Sequence, residues 1–437
     1  MHKTRQIHQL STALLLSALA GIVGYPLAPP VAAGQSGHGY SPLPTVHERF
    51  ATFISGDGFK SVLLLENFRQ DVPITVTPSL ILDKQEVPLD PIALSPHSTT
   101  TVDISGFLSS HGFAEKWGTV VTRYSFSSYG PVNAVVENVD EAHELYLNSY
   151  SASPEEYWSG TTMDAVIWTP EKGTQGYISI TNTTNESRLV RTTFLVDGHS
   201  EERPPFELAP RSARILSIDD LVSHAGQDGA GIHVEGGEYP GDLLVEGQLF
   251  NKRTGFTKRI HFIDRDLQVL TGTLRTHFLL LGSQPVEDGF PAEVRFRSVA
   301  AVRNIYTAPV TVTPVIKFLR NGSLESIRLN PLHLDVGQSR TVDFSDEQRS
   351  GRLPQGLHQA SLELIPDVAD SITIVGELFN FNERGDYVVG PSLNSYPARS
   401  TASIWRTDGT FQTTVIVENT ADKDDRLLLK LFSDDGT

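Results

Sequence analysis

Apolar and polar residues alternate with a period of two along most of this chain, in short runs rich in Val, Ile, Thr and aromatics. That period puts successive side chains on opposite faces of an extended backbone, so each run predicts a half-buried β-strand. Four runs are versions of one strand: "GFKSVLLLENF", "GTQGYISITNTTN", "EVRFRSVAAVRNIY" and "GTFQTTVIVENTA". Each ends on an asparagine (Asn67, Asn182, Asn304 and Asn419), at spacings of 115, 122 and 115 residues. A second strand follows each: "VPITVTPSLIL", "RLVRTTFLV", "PVTVTPVIKFL" and "RLLLKLF". A self-similarity of this period marks tandem domains, because solenoid repeats are much shorter, about 20 to 45 residues.

Downstream, the first three units continue in parallel through "LSPHSTTTVDIS", "LAPRSARILSIDD" and "LDVGQSRTVDFSD", then through further alternating strands. No amphipathic helix longer than two turns is expected after the first 33 residues. Seven or eight strands in about 115 residues fit a two-layer antiparallel sandwich. The predicted fold is all-β: tandem immunoglobulin-like sandwiches, beads on a string. The boundaries read as 44–158, 159–272, 273–398 and a partial unit at 399–437. The linkers "SASPEEYWSG", "DLQVLTGTLRT" and "NSYPARSTAS" are short, which predicts an elongated, semi-rigid chain of domains. The fourth unit stops in "LFSDDGT", where units two and three leave a Gly turn for another strand. It is therefore read as incomplete, with the natural protein continuing beyond Thr437.

The N-terminus reads as an export signal at 1–33, followed by a low-complexity linker at 34–43. Lys3 and Arg5 precede the apolar "LSTALLLSALAGIVG", and cleavage sites fit after Ala20 or Ala33. No stretch predicts a transmembrane helix once this segment is removed. These features place the protein outside the cell or at its surface. The chain has no cysteine, which removes disulfides, thiolate metal sites and cysteine nucleophiles. Losing Lys3 and Arg5 leaves 33 basic residues against 52 acidic ones. Such a surface repels phosphate backbones, so nucleic acid is not expected as a partner.

Units built from a strand ending in Asn, a Gly turn, "L-x-P-x-S" and "V-D-x-S" resemble the immunoglobulin-like and cell-adhesion-related (CARDB-type) repeats of bacterial exported proteins. The resemblance runs over about residues 44–437. It implies a spacer, an adhesive module or an accessory domain beside an enzyme. The hallmark Cys-Trp-Cys core and a C-terminal sorting signal have no counterpart in this sequence.

Candidate chemistry is sparse. The recurring asparagines suit a turn, because Asn tolerates left-handed backbone and caps with its side chain; the competing reading is a shared ligand edge. Asp103, Asp219 and Asp343 recur and are expected to cap short helical turns, with calcium between domains as the alternative. Phe53, Trp168 and Trp405 each lie 14 residues before their asparagine, which points to core anchors rather than a sugar-stacking ladder. Trp117 and Trp158 do not recur and are the better candidates for a glycan or protein contact. "HELYL" lacks a zincin's second histidine, no phosphate-binding or nucleophile-elbow motif is present, and the "DKDD" cluster reads as a solvated hairpin. The insertion "GSQPVEDGFPAE" reads as a loop. Asn182, Asn185 and Asn321 head glycosylation sequons in form. The expected activity is a non-enzymatic surface stalk for spacing, adhesion or binding, with no cofactor, metal or catalytic residue. Its partner is a protein or glycan of unknown identity. The alternatives are an accessory region of a hydrolase or receptor whose active part lies beyond residue 437, or a carbohydrate-binding module.

Overall fold

The computed structural model describes residues 46–389, apart from 70, 83–84, 114–116, 127–130, 144, 151–160, 171, 197, 226–227, 265–271, 285–293, 369–371 and 383–387. All of them fall within one compact unit of the chain. The fourth unit with Trp405 and Asn419, the export signal, Trp158 and most of the "GSQPVEDGFPAE" insertion lie outside the described residues.

The first repeat contains β1 (Val46–Ile54), β2 (Lys60–Asn67), β3 (Ile74–Ile81), β4 (Glu86–Pro88), β5 (Ile92–Leu94) and β6 (Thr99–Asp103). A short helix α1 (Ile104–Ser110) follows, then β7 (Trp117–Ser125), β8 (Val132–Asp140) and β9 (Leu145–Tyr150). These form two antiparallel sheets. Sheet I has the order β1-β7-β3-β4, with β5 also on β3, and sheet II has the order β6-β2-β8-β9.

The second repeat runs β10 (Thr162–Ile167), β11 (Gln175–Asn182), β12 (Arg188–Val196), β13 (His199–Glu202), β14 (Phe206–Leu208), β15 (Ala213–Ser217), α2 (Asp219–His224), β16 (Ala230–Glu235), β17 (Leu243–Asn251), β18 (Phe256–Ile260) and β19 (Ile263–Asp264). The third runs β20 (Leu274–Leu280), β21 (Gly282–Ser283), β22 (Arg295–Asn304), β23 (Val310–Arg320), β24 (Ser323–Arg328), β25 (Leu332–Leu334), β26 (Ser339–Asp343), α3 (Phe344–Arg349), β27 (Gln359–Pro366), β28 (Ile374–Asn382) and β29 (Val388–Val389). Their sheets keep the plan: β10, β16 and β12 form sheet I of the second repeat, and β20, β27 and β23 that of the third. The strands β11 and β17, and β22 and β28, centre the two sheets II. The architecture is thus tandem antiparallel sandwiches, as the alternation predicts.

Inward-facing residues of both sheets build each core. In the first repeat Phe53, Leu63, Leu65, Val76, Leu80 and Val120 meet between the layers, and Ile104 and Leu108 of α1 close one end. Burying such a side chain contributes roughly 1.5–3 kcal/mol, which lets a cysteine-free sandwich hold together.

The shared Pro-x-Thr-Val-Thr-Pro segment has a structural reason. Proline cannot donate to a ladder and is normally kept off central strands. On the edge where Pro78 lacks its N–H, the partner of β3 changes from β5, whose first residue Ile92 lies opposite Val76, to β4, whose last residue Pro88 lies opposite Ser79. Only the carbonyl is used there: Pro78 O accepts from Leu89 N at 3.0 Å, and Pro314 O accepts from Leu329 N at 2.9 Å. In the second repeat Thr192 O accepts from Arg203 N at 2.9 Å, so Thr192 holds the corresponding place.

Candidate functional site: the joints between successive repeats

The recurring asparagine is a fully buried internal staple. Asn67 Nδ2 donates to the carbonyls of Val72, Leu94 and Ser95 at 2.9, 3.2 and 3.1 Å, and its Oδ1 accepts from Arg69 N at 2.9 Å. Asn182 repeats the set with Glu186, Leu208 and Ala209 at 2.7, 3.2 and 2.9 Å, and with Thr184 N at 2.9 Å. Asn304 does so with Ala308, Leu334 and Asp335 at 2.9, 3.1 and 3.1 Å, and with Tyr306 N at 2.7 Å. All three side chains are 0 % exposed, so they line no ligand edge, and Asn182 is no glycosylation acceptor.

The left-handed backbone expected at these asparagines sits elsewhere. The main-chain N–H of each asparagine donates to Ser98, Ser212 or Gln338, and the residue before that acceptor has positive φ: His97 (54°), Arg211 (51°) and Gly337 (72°).

The aspartates need one correction. Val62, Tyr177 and Val299 each lie five residues before their asparagine and pair with Asp103, Ser217 and Asp343. Asp103 and Asp343 cap their helices, accepting from Gly106 N at 2.8 Å and Ser345 N at 2.9 Å. In the second repeat Ser217 stands at that position and accepts from Asp219 N at 3.2 Å. Asp219 lies inside α2, whose N-cap is Ile218, and its carboxylate accepts from Gly176 N at 2.8 Å. That is the job of Ser105 in the first repeat, whose Oγ accepts from Ser61 N at 2.8 Å.

The aromatics separate by one residue. Four residues before the partners of Pro78 and Thr192 (Thr122 and Val234) lie Gly118 and Ala230, which pair with Phe53 and Ile167. Trp168 therefore matches Ile54, on the opposite face of the sheet from Phe53. Phe53 fills its own core, whereas Trp168 packs on Phe379 and Phe381 of the third repeat, with ring centroids 5.1 and 5.7 Å apart. Trp117, a candidate for ligand contact, packs half-buried against a cluster of Phe50, Ile81, Val121, Ala213 and Leu244 that spans repeats one and two.

These contacts reveal a feature not legible in the strand pattern: each joint seats the outer face of one repeat's sheet I, together with the edge strand of its sheet II (β9 or β18), on the outer face of the next repeat's sheet II. Both joints use a buried glutamate at one position. Counting three residues from the β-partner of the asparagine gives Val135, Glu246 and Glu377. In the first joint Glu246 Oε2 accepts from Thr52 Oγ1 at 3.0 Å and Ser149 Oγ at 2.5 Å in repeat one, while Arg259 holds its other oxygen at 3.0 Å. In the second joint Glu377 Oε2 lies 2.8 Å from Lys258 Nζ, and Oε1 accepts from His261 N at 2.9 Å. Burial alone would raise the Glu377 carboxyl, but the Lys258 charge and the His261 contacts outweigh it and hold it down to about 2. Val135, in the first repeat, carries no charge at this place.

Further ion pairs close both joints. Arg211 of repeat two grips Glu48 of repeat one through both terminal nitrogens, at 2.9 and 2.8 Å, and Glu48 also holds Arg123 at 2.7 Å. Arg303 of repeat three reaches Asp164 of repeat two at 3.1 Å and donates to Ile232 O at 3.0 Å. Its path crosses Gly231, where a Cβ would stand 2.5 Å from Arg303 Cδ. The polar residues at the first joint also line a cavity of about 10 Å³, with room for about one water.

Among the described residues no group of three or more His, Asp or Glu is placed to hold a metal ion, and no helix is long and apolar enough to cross a membrane. The joint carboxylates are aimed into partners of the neighbouring repeat. Such an arrangement fixes orientation between domains: a desolvated charge favours the one geometry that pairs it. Compared with family models, curated proteins and solved structures, the chain matches none.

Proposed function

We propose that this protein is a non-enzymatic, exported repeat protein whose stacked sandwiches form a stiff spacer or adhesion stalk. The observation that carries the reading is the recurrence of a buried glutamate at one position of both joints, Glu246 and Glu377, each engaging the preceding repeat. A stalk requires fixed joints, and charges buried at a joint penalise any rearrangement that unpairs them. The apolar run after Lys3 and Arg5 supports export, and the resemblance to cell-adhesion-related repeats agrees with a place at the cell surface. A protein or glycan partner fits that place. Trp117 contributes to the first joint, which weakens the carbohydrate-binding reading at that residue.

The test is a turnover assay on the chain from residue 34 onward, with polysaccharide, peptide and ester panels. No turnover above background is expected. Hydrolysis abolished by a single substitution in a described carboxylate or histidine would overturn the proposal.

A further inference from the structure

The two joints share a geometry that extends to the third repeat. In the first, Thr119 of sheet I meets Thr181, the residue before Asn182, with the hydroxyls 2.8 Å apart. In the second, Gly231 lies under Arg303, the residue before Asn304. Pro78, Thr192 and Pro314 pair with Thr122, Val234 and Leu364. Three residues before those partners lie Thr119, Gly231 and Ser361, which therefore occupy one position of sheet I. Ser361 pairs directly with Lys317. Beside it Lys317 and Arg275, 32 % and 38 % exposed, share the single carboxylate of Glu363 at 2.8 and 3.0 Å. Arg328, which pairs with Val315 two residues before Lys317, lies on the same side, so among the described residues this face carries three cations to the one carboxylate of Glu363, on a chain of net negative charge.

The sequence supplies a complement. In "FQTTVIVEN", Glu418 precedes Asn419 as Thr181 precedes Asn182 and Arg303 precedes Asn304. The sequence alternation predicts a strand there, which would put Thr414, Ile416 and Glu418 on one side and Val415 and Val417 on the other. We propose that the segment 411–419 of this same chain docks on the outer face of the third repeat's sheet I, with Glu418 over Ser361 and paired to Lys317 and Arg275. The fourth unit would then join the stack by the mode of the first two joints, with the charge signs of the second joint exchanged.

Because the chain has no native cysteine, paired thiols report this contact directly. The full chain from residue 34 is made as Ser361→Cys with Glu418→Cys. A reference carries Thr119→Cys with Thr181→Cys, and a wrong-face control carries Ser361→Cys with Val417→Cys. Disulfides form only where the Cβ atoms approach to about 3.5–4.5 Å. Under mild oxidation the first pair should close within one chain at a rate like the reference, and roughly tenfold faster than the control. Equal rates for the two Ser361 pairs, or no product, would overturn the proposal. Disulfide-linked dimers would do so too, by making a second copy the occupant. A cysteine-free check uses Lys317→Glu, which should speed amide exchange across 411–419, with added Glu418→Lys restoring protection. Unchanged exchange in both variants counts against the contact.

Discussion

Arg303 and Asp164 belong to different repeats, yet their charged groups lie 3.1 Å apart with side chains 3 % and 0 % exposed. The guanidinium also takes the carbonyls of Ala165 and Ile232, at 3.2 and 3.0 Å. Asp164 Oδ1 in addition contacts His233 Nδ1 at 3.0 Å. Removing one partner of a buried pair leaves an unpaired charge and typically costs about 3–5 kcal/mol. Arg303→Met alone should therefore lower the denaturation midpoint strongly. Adding Asp164→Leu should recover most of the loss. A double variant no better than the single one would show that the pair does not hold the joint.

Glu377 gives the second joint a pH dependence. Its folded-state pKa of about 2 lies below the ordinary carboxylate value of 4.5. A depressed folded-state pKa stabilises the joint fully above that ordinary value, and the contribution fades as pH falls from about 4.5 towards 2. The shift corresponds to about 3 kcal/mol at neutral pH. Urea titrations across this range should show the acid loss, and Glu377→Gln should flatten it while lowering stability at pH 7. An unchanged acid limb in the variant would assign the loss to other carboxylates.

The asparagine staple predicts a sharp chemical distinction. Asn304→Asp presents an acceptor to three carbonyls now served by an amide N–H₂. Each buried carbonyl left unpaired costs roughly 1–3 kcal/mol, so the third repeat should lose several kcal/mol. Asn321→Asp, at an exposed turn, should change the midpoint little. Equal effects from the two substitutions would contradict the staple.

Two substitutions should be tolerated or stabilising, because another repeat already uses the new residue. His97 has φ of 54° where Gly337 stands in the third repeat. His97→Gly should therefore relieve about 1 kcal/mol of left-handed strain, less the entropy glycine adds to the unfolded chain. Thr192→Pro adopts the residue found at Pro78 and Pro314 and should shift stability by no more than about 1 kcal/mol. A large loss from Thr192→Pro would mean that the Thr192 N–H has a partner that Pro78 lacks.

The strands, the sandwiches and the asparagine were legible because each repeat spells them with the same residue at the same place. The other repeat positions were harder to align. Asp219 misled because Ser217 stands at the position of the capping aspartates of the other two described repeats, and Asp219 takes the place of Ser105. Trp168 misled because equal spacing to the asparagine hid a shift of one residue, which in a strand reverses the face. The joints were the least visible part. A glutamate on a strand's outer face reads as solvated, and only pairing between distant repeats shows otherwise. One signal was present: "DLLVEGQLF" and "ITIVGELFNF" are apolar at both parities, as strands covered on both faces are.

Buried charged joints fix successive repeats against one another. The most direct test is a spin-label distance between the first and third repeats. Ser109 and Ser323 are both exposed, and the absence of native cysteine lets Ser109→Cys and Ser323→Cys carry the only two labels. Fixed joints predict one narrow distance distribution at neutral pH that broadens with Arg303→Met. A broad distribution in the otherwise unaltered chain would mean that the repeats swing independently and would contradict the stiff stalk.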